Sequence, residues 1–132
     1  YKFVVDWFVE MQEKKDIYIP WVGYDNWSAT YFVEEMKSHF GEQSMEPVIQ
    51  GKKTLSSPMK SLGADLESKR IVYNNHPILK WNLTNVAVDV DKNDNIQPMK
   101  TCNAKKRIDG FASLLDAYVV LERQLENYKS MI

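Results

Sequence analysis

The chain is organised around the run Ile17-Tyr-Ile-Pro-Trp-Val-Gly-Tyr24, which is followed directly by Asp25. Its apolar, β-branched and aromatic side chains are typical of a mostly buried strand, although Pro20 limits how far that strand can pair with a neighbour. An acid at the carboxyl end of such a strand stands where α/β folds place their ligands. Asp25 is therefore a candidate ligand for Mg²⁺ or Mn²⁺.

Helical and extended patterns alternate on both sides of this strand. The alternation predicts an α/β domain with partly parallel strands, to which the segment around 86–100 adds an antiparallel β-hairpin. Asn26 or Ser28 can cap the second helix and Gly41 can end it, while Ser57-Pro58 is a typical helix start. The predicted helices cover residues 1–15, 29–40, 57–66 and 107–130, and the predicted strands cover 17–24, 44–49, 70–73, 86–90 and a segment from 96.

The apolar periodicity of each helix predicts which side faces the core. We expect these faces to consist of Phe3, Val4, Trp7, Phe8 and Met11 in the first helix, Ala29, Phe32, Val33, Met36 and Phe40 in the second, Met59, Leu62 and Leu66 in the third, and Phe111, Leu114, Leu115, Tyr118, Leu121 and Leu125 in the last. In the strand 86–90, Val86, Val88 and Val90 alternate with polar or small residues, which predicts a half-buried strand.

Composition limits the class of protein. The 132 residues carry 17 basic and 18 acidic side chains, and 44% are apolar, which are ordinary values for one globular domain spanning 1–132. A collagen-like, disordered or strongly basic chain is excluded, but a local basic stripe leaves nucleic-acid binding open. Cys102 has no partner for a disulfide, and no segment has the length and apolarity of a membrane span, so we expect a reducing, cytosolic compartment. The chain begins without Met inside a helical pattern, so we expect it to be a piece of a longer protein.

Asp25 and Asp109 are the two acids whose positions in the predicted elements suit a metal ligand. Each has a simpler interpretation, because an acid near a helix N-terminus is stabilised by the helix dipole without any ligand. Gly110 costs about 1 kcal/mol inside a helix, which a close approach of backbone, ligand or sheet would explain. Taken alone, their positions favour the simpler interpretation for both acids.

The other polar clusters carry less information. The acidic run from Asp89 to Asn95 lacks the Gly and the closing Glu of a calcium loop, so we interpret it as a hairpin turn. Basic residues cluster in three places, where they are either phosphate contacts or an ordinary solvated surface. No Gly-rich phosphate loop and no nucleophile elbow occurs. The basic clusters are Lys52-Lys53, Lys69-Arg70, and Lys100 with Lys105, Lys106 and Arg107.

The run Val22-Gly-Tyr-Asp25-Asn-Trp27-Ser-Ala29 resembles the "tyrosine-aspartate, then tryptophan" element of tailed-phage terminase large subunits. Further segments follow in the order found in that family, so that the resemblance covers about residues 18–118. These segments are Val48-Ile-Gln50-Gly51 with Thr54-Leu55-Ser56-Ser57-Pro58-Met-Lys60, His76-Pro77-Ile-Leu79-Lys-Trp81, Asn85-Val86 with Asn95-Ile96-Gln-Pro98-Met-Lys100, and Lys106-Arg107-Ile108-Asp109-Gly110.

The resemblance implies a ribonuclease H-like nuclease domain that cuts double-stranded DNA during genome packaging. It implies that Asp25 and Asp109 are catalytic metal ligands, with two Mg²⁺ or Mn²⁺ ions in the complete domain. Nearby cations would then position the phosphate backbone. The implied partners are an ATPase motor in the full-length protein, a small terminase subunit and the portal, in the host cytoplasm and without a membrane. The residues expected to contact DNA are Lys52, Lys53, Lys100, Lys105, Lys106 and Arg107.

The chain departs from this family at its start. The family's first catalytic aspartate lies on a first strand, whereas a helix precedes the Asp25 strand here and Glu10, Glu13 and Asp16 do not lie on a matching strand. We therefore expect the first strands to be missing, nuclease activity to be weak or absent, and exposed apolar surface to favour self-association. The competing hypothesis is a noncatalytic module that docks on DNA or on the portal.

Overall fold

The structure is a computed structural model that describes residues 1–27, 30–103 and 105–132. Ser28 and Ala29, predicted as a cap and a core residue, lie outside the described residues. In the described part of the chain no helix has the length and apolarity needed to cross a membrane. The elements are α1 (Lys2–Lys15), β1 (Val22–Asp25), α2 (Thr30–Phe40), β2 (Met45–Val48), α3 (Lys52–Glu67), α4 (Pro77–Asn85), β3 (Ala87–Val90), β4 (Ile96–Met99) and α5 (Asp109–Met131).

The strands form two separate pairs. β1 and β2 are parallel, with Val22 opposite Met45 and Asp25 opposite Val48. β3 and β4 form an antiparallel hairpin, whose turn is held by Asp91, because its Oδ1 accepts the backbone N–H groups of Asn93 and Asn95. Both the parallel pairing and the hairpin turn confirm the sequence prediction.

Two apolar clusters cover the two faces of the β1–β2 pair. On one face, α5 and α3 contribute a cluster that includes Val48, Leu62 and Leu115. On the other face, α1 and α2 contribute a cluster around Met36 and Met45. Met45 and Val48 lie on opposite faces of the strand because their numbers differ in parity, and side chains alternate along a strand. The sheet is therefore the middle layer of three.

Several predicted boundaries were wrong at proline and glycine. The strand predicted over 17–24 is confined to β1, since Pro20 has no N–H for a ladder. α3 begins at Lys52 rather than at Ser57. Gly51, with φ of 125°, ends the preceding segment, and the buried side chain of Leu55 extends the core stripe back by one turn. Pro58 consequently lies inside α3 and leaves one helical carbonyl without its N–H partner.

The segment between α3 and α4 also differs from the prediction. Residues 70–73 form no strand, and Val72 is exposed. Lys69, Asn74 and Asn75 have positive φ values, which turn the chain repeatedly and leave no extended run. The His76-Pro77 turn instead begins α4, where proline fits the first helical position. The helix was missed because two of its inward side chains are asparagines, so that its apolar periodicity is weak.

Three predicted apolar faces are only partly buried. α1 turns Val5 and Phe8 toward α2, whereas Phe3, Val4 and Trp7 are exposed. α5 buries Phe111 and Leu115 but exposes Leu121 and Leu125, since beyond Val120 the helix extends past the core. In β3, Val88 and Val90 are exposed, because Asp89 points to α3 and pairs with Lys52 at 2.9 Å. The predicted face of α2 is confirmed for Val33 and Met36 and that of α3 for Met59 and Leu62, with Phe32, Phe40 and Leu66 partly buried beside them.

Candidate functional site

Asp25 and Asp109 line one cavity of about 540 Å³. Asp25 is the last residue of β1 and Asp109 the first residue of α5. Both side chains are exposed. The cavity runs along the edge of β1 that is not bonded to β2, because residues from both faces of this strand line it together with residues of α1, α2 and α5. The fold thus brings the two predicted site residues to a common cavity.

Gly23 sets the distance between β1 and α5. A Cβ atom at this position would lie 2.7 Å from the carbonyl oxygen of Asp116 and 2.8 Å from a methyl carbon of Val120. Only a residue without a side chain allows this approach. Because Asp25 follows two residues later on the same face of the strand, the approach also fixes how close Asp25 lies to α5.

Two buried asparagines of α4 hold the start of α5. Asn82 accepts the N–H of Gly110 at 3.0 Å through its Oδ1, and Asn85 donates to the carbonyl oxygen of Arg107 at 3.0 Å. Asn82 thereby caps a helix whose own N-cap residue, Ile108, provides no side-chain bond. Gly110 allows α4 to approach, since a Cβ there would lie 3.2 Å from Cγ of Asn82. The close approach anticipated at Gly110 is made by α4 and not by the sheet.

A third acid, Asp116, lies deeper in the same cavity. It is 9% exposed, and its Oδ1 accepts a hydrogen bond of 3.2 Å from Gln50, whose Nε2 also donates to the carbonyl oxygen of Val48. Burial raises the pKa of Asp116; the bond from Gln50 opposes this shift, and the charge of Asp25 adds to it. The negative charge of Asp25 therefore acts on Asp116 across the gap that Gly23 keeps narrow.

The donor chemistry of the cavity suits a hard divalent cation. Mg²⁺ is usually held by one or two carboxylates and keeps several of its waters, and exposed Asp25 and Asp109 offer carboxylate oxygens to such an ion. Among residues 1–27, 30–103 and 105–132, no three His, Cys, Asp or Glu side chains are grouped closely enough to hold a metal. Metal binding by the two acids stays a prediction.

The predicted DNA contacts divide into two surfaces. Arg107 lines a depression of about 440 Å³ that also includes Asp109. Lys52 and Lys53 line a different groove, between α3 and the hairpin turn, in which Lys52 is held by Asp89. This contact, together with a bond from Gln97, lowers the pKa of Asp89. Lys100, Lys105 and Lys106 are exposed on the segment that precedes α5.

Sequence reasoning missed Asp116, Gln50, Asn82 and Asn85. Asp116 could have been found, since it follows Asp109 by two helical turns and stands within the apolar face of α5. The asparagines carried a weaker signal, because a polar residue in a short helix is ordinarily exposed. Gln50 follows the end of β2, and only the parallel pairing of β1 and β2 places it near Asp116.

Comparison with known proteins identifies the domain type. Residues 1–124 match the family model described as terminase large subunit, endonuclease domain. An 80-residue alignment, which covers 58% of the chain, shows 35% identity to Protein YmfN of Escherichia coli (strain K12). The crystal structure of the HK97 bacteriophage large terminase matches 89% of the chain with a TM-score of 0.74 at 21% identity. The expected α/β nuclease fold, ribonuclease H-like in type, is thereby confirmed. The chain spans 17% of YmfN and 24% of the HK97 chain.

Proposed function

The chain belongs to the family of terminase large-subunit endonuclease domains, and on that premise we propose that it contributes Asp25 and Asp109 to a metal-dependent site for cleavage of double-stranded DNA during phage genome packaging. The observation that carries this proposal is the shared cavity, which Asp25 at the end of β1 and Asp109 at the start of α5 both line. These two residues are far apart in the sequence, and only the fold accounts for their common location.

The residues of the cavity have distinct roles in the proposed reaction. Divalent ions supply charge neutralisation and an activated water in phosphodiester hydrolysis. Asp25 and Asp109 would hold such an ion, and Asn82 keeps Asp109 in place through its cap on α5. Gln50 anchors the buried Asp116 behind them. Arg107, in the depression that Asp109 shares, would neutralise a neighbouring phosphate of the strand.

We further propose that the site of this chain is partial. In the described ranges, Asp25 and Asp109 are not joined by a third grouped ligand, so the two ions of a two-ion site would have only two grouped carboxylates to share. The chain alone should therefore bind divalent ions weakly and cut DNA slowly or not at all. The full-length protein would act in the host cytoplasm with an ATPase motor, a small terminase subunit and the portal as partners.

A calorimetric titration with Mn²⁺ tests ion binding directly. We expect weak binding that both Asp25→Asn and Asp109→Asn abolish, while Asp6→Asn, a change on exposed α1, leaves it intact. Binding that survives both site variants would remove the basis of the proposal.

A plasmid-nicking assay with Mg²⁺ tests the proposal that the site of this chain is partial. Fast cleavage that disappears in Asp25→Ala would show that the site is complete after all.

The absence of a third ligand in the described ranges also favours a second candidate function, a nuclease-like module that docks on DNA or on the portal without cleaving. The two candidates differ in one measurement. A docking module should keep its affinity for DNA in the double variant Asp25→Asn/Asp109→Asn and show no Mn²⁺ binding in the unchanged chain.

A further inference from the structure

A second hollow adjoins the carboxylate cavity at the start of α5. It has a volume of about 440 Å³ and lies between α4 and the segment that precedes α5. Asp109 lines both hollows, so they meet at the proposed metal ligand. Ile78, Trp81 and Arg107 are among the residues that line this depression.

The depression contains apolar side chains of α4 that are exposed and do not contribute to the core. Trp81 is 44% exposed and Ile78 is 66% exposed, although the same helix buries the polar side chains of Asn82 and Asn85. The asparagines are accounted for by their bonds to the start of α5. The half-exposed indole is left as a flat aromatic surface beside Asp109. Exposed aromatic side chains next to a reactive site are typical ligand contacts.

Arg107 is the cation that lines the depression, next to the carboxylate of Asp109. The chain segments that lead to its lining residues carry further cations. The segment 76–85 contains Lys80 and no acidic residue, and the segment 100–107 contains Lys100, Lys105, Lys106 and Arg107, with Asp109 as the first acid after it. Aromatic rings combined with flanking cations suit a nucleic-acid strand, whose bases and sugars stack while its phosphates pair.

We propose that this depression binds the stretch of DNA strand that flanks the scissile phosphate, with a sugar, or an unpaired base at a strand end, against Trp81 and Ile78 and a phosphate at Arg107. The inference rests on the proposed nuclease function for its ligand, and it assigns Trp81 as a positioning residue for the substrate. The depression accepts backbone and base faces of any sequence, because none of these contacts reads a base edge.

Fluorescence anisotropy with a labelled DNA duplex that ends in a short single-stranded overhang tests the proposal. Measurements in EDTA remove any contribution of metal. We expect Trp81→Ala to raise the Kd at least about fivefold, which is the low end of the effect of losing one aromatic stacking contact. Trp81→Phe should restore most of the affinity. Tyr128→Ala, which removes a 40% exposed aromatic ring from the end of α5 remote from Asp109, should have no effect and is the matched control.

Arg107→Gln provides an independent variant if Trp81→Ala does not fold, as judged by its circular dichroism. Loss of one phosphate contact should lower the slope of log Kd against log salt concentration by about 1. Photo-cross-linking of a halogenated base should label the peptide that contains Trp81. Unchanged affinity and salt slope in both variants, or cross-links confined to other segments, would overturn the proposal.

The test of DNA binding at the depression can fail or succeed independently of the test of the metal site. If Mn²⁺ binding depends on Asp25 and Asp109 while Trp81→Ala binds DNA normally, the metal site stands and the strand-binding depression is wrong. If Trp81→Ala loses DNA affinity while no Mn²⁺ binds, the depression stands as a DNA contact of a docking module.

Discussion

Asp116 is the residue whose protonation the fold changes most directly at the site. Burial raises its pKa above the ordinary value of 3.8, so the ionised form is less stable in the folded chain than in the unfolded one. The stability that Asp116 contributes is therefore fully present below pH 3.8 and is lost as the pH rises through the raised value. Stability near neutral pH consequently carries a penalty for one buried charge.

We expect Asp116→Asn to raise the Tm at pH 7 by about 3 °C, because Asn cannot ionise and keeps an oxygen for Gln50. The gain should shrink as the pH falls through the raised value and vanish near pH 3. Thermal melts of both proteins across this range measure the difference. A gain that is the same at pH 7 and pH 3 would contradict the assignment. Asp6→Asn, the same substitution on the exposed surface of α1, is the control.

Gly23 is the residue that sets how closely β1 and α5 approach each other. Gly23→Ala places a methyl group 2.7 Å from the Asp116 carbonyl oxygen, so we expect a loss of about 1–3 kcal/mol in the free energy of unfolding. Urea denaturation measures it. Gly63→Ala is the matched control, because nothing lies within 4 Å of the added methyl group in α3. That change should stabilise the chain by about 0.5–1 kcal/mol. Equal changes in the free energy of unfolding at the two positions would show that the close approach of β1 and α5 does not require glycine at position 23.

The site residues that could be predicted from the sequence are those that stand at the end of a helix or strand, where a functional role is common. Asp25 and Asp109 stand at the end of a strand and the start of a helix, and both positions can be recognised locally. Asp116, Gln50 and Asn82 matter only through partners on other elements, at sequence separations that no local pattern encodes. Their detection required the packing of α4 and α5.

At the scale of the elements, α4 matters through its polar side chains. Asn82 bonds the N–H of Gly110 and the carbonyl oxygen of Ile78 within its own helix. We expect Asn82→Ala to lower the free energy of unfolding by about 1–2 kcal/mol, because a helix cap is lost and buried polar groups remain unpaired. It should also weaken Mn²⁺ binding, since Asp109 begins the helix that is capped.

Thr84→Ala separates this effect from a general weakening of α4. Thr84 is exposed and bonds only the carbonyl oxygen of Trp81 in the same helix, so its replacement should change stability by less than about 0.5 kcal/mol. Denaturation and calorimetry of both variants complete the comparison. If Asn82→Ala unfolds and binds Mn²⁺ like Thr84→Ala, α4 does not position the site.

Element types were predictable where apolar spacing was strong, as in α2 and α5. Predicted boundaries were wrong where one residue changes the backbone conformation. α3 begins directly after Gly51, earlier in the chain than predicted, and the positive φ values of Asn74 and Asn75 are incompatible with the strand predicted before them. The prediction of which side of β3 faces the core was wrong for another reason. The ion pair between Asp89 and Lys52 turned a polar residue inward, and a pairing across two elements cannot be read from alternation alone.

At the scale of the whole molecule, the three layers leave apolar surface without a partner. Among the described residues α1 packs chiefly on α2, and Val5 and Phe8 also join the cluster around Met45. Phe3, at 87% exposure, and Trp7, at 53%, lie one helical turn apart on its outer side. The carboxylate cavity opens along the edge of β1 that is not bonded to β2, and an exposed strand edge of this kind can pair with another strand. Contiguous apolar surface of this kind marks an interaction site.

We therefore expect the isolated chain to self-associate as its concentration rises, through the outer face of α1. Sedimentation velocity over a range of concentrations measures this. Phe3→Glu and Trp7→Glu should each weaken association at least about tenfold, because a charge on a desolvated apolar contact is costly. Val72→Glu, a change at an exposed apolar residue in the loop before α4, should have no effect. A chain that stays monomeric at all concentrations, or that all three variants disrupt equally, would exclude the α1 face as the contact, and the edge of β1 would then be the surface to test.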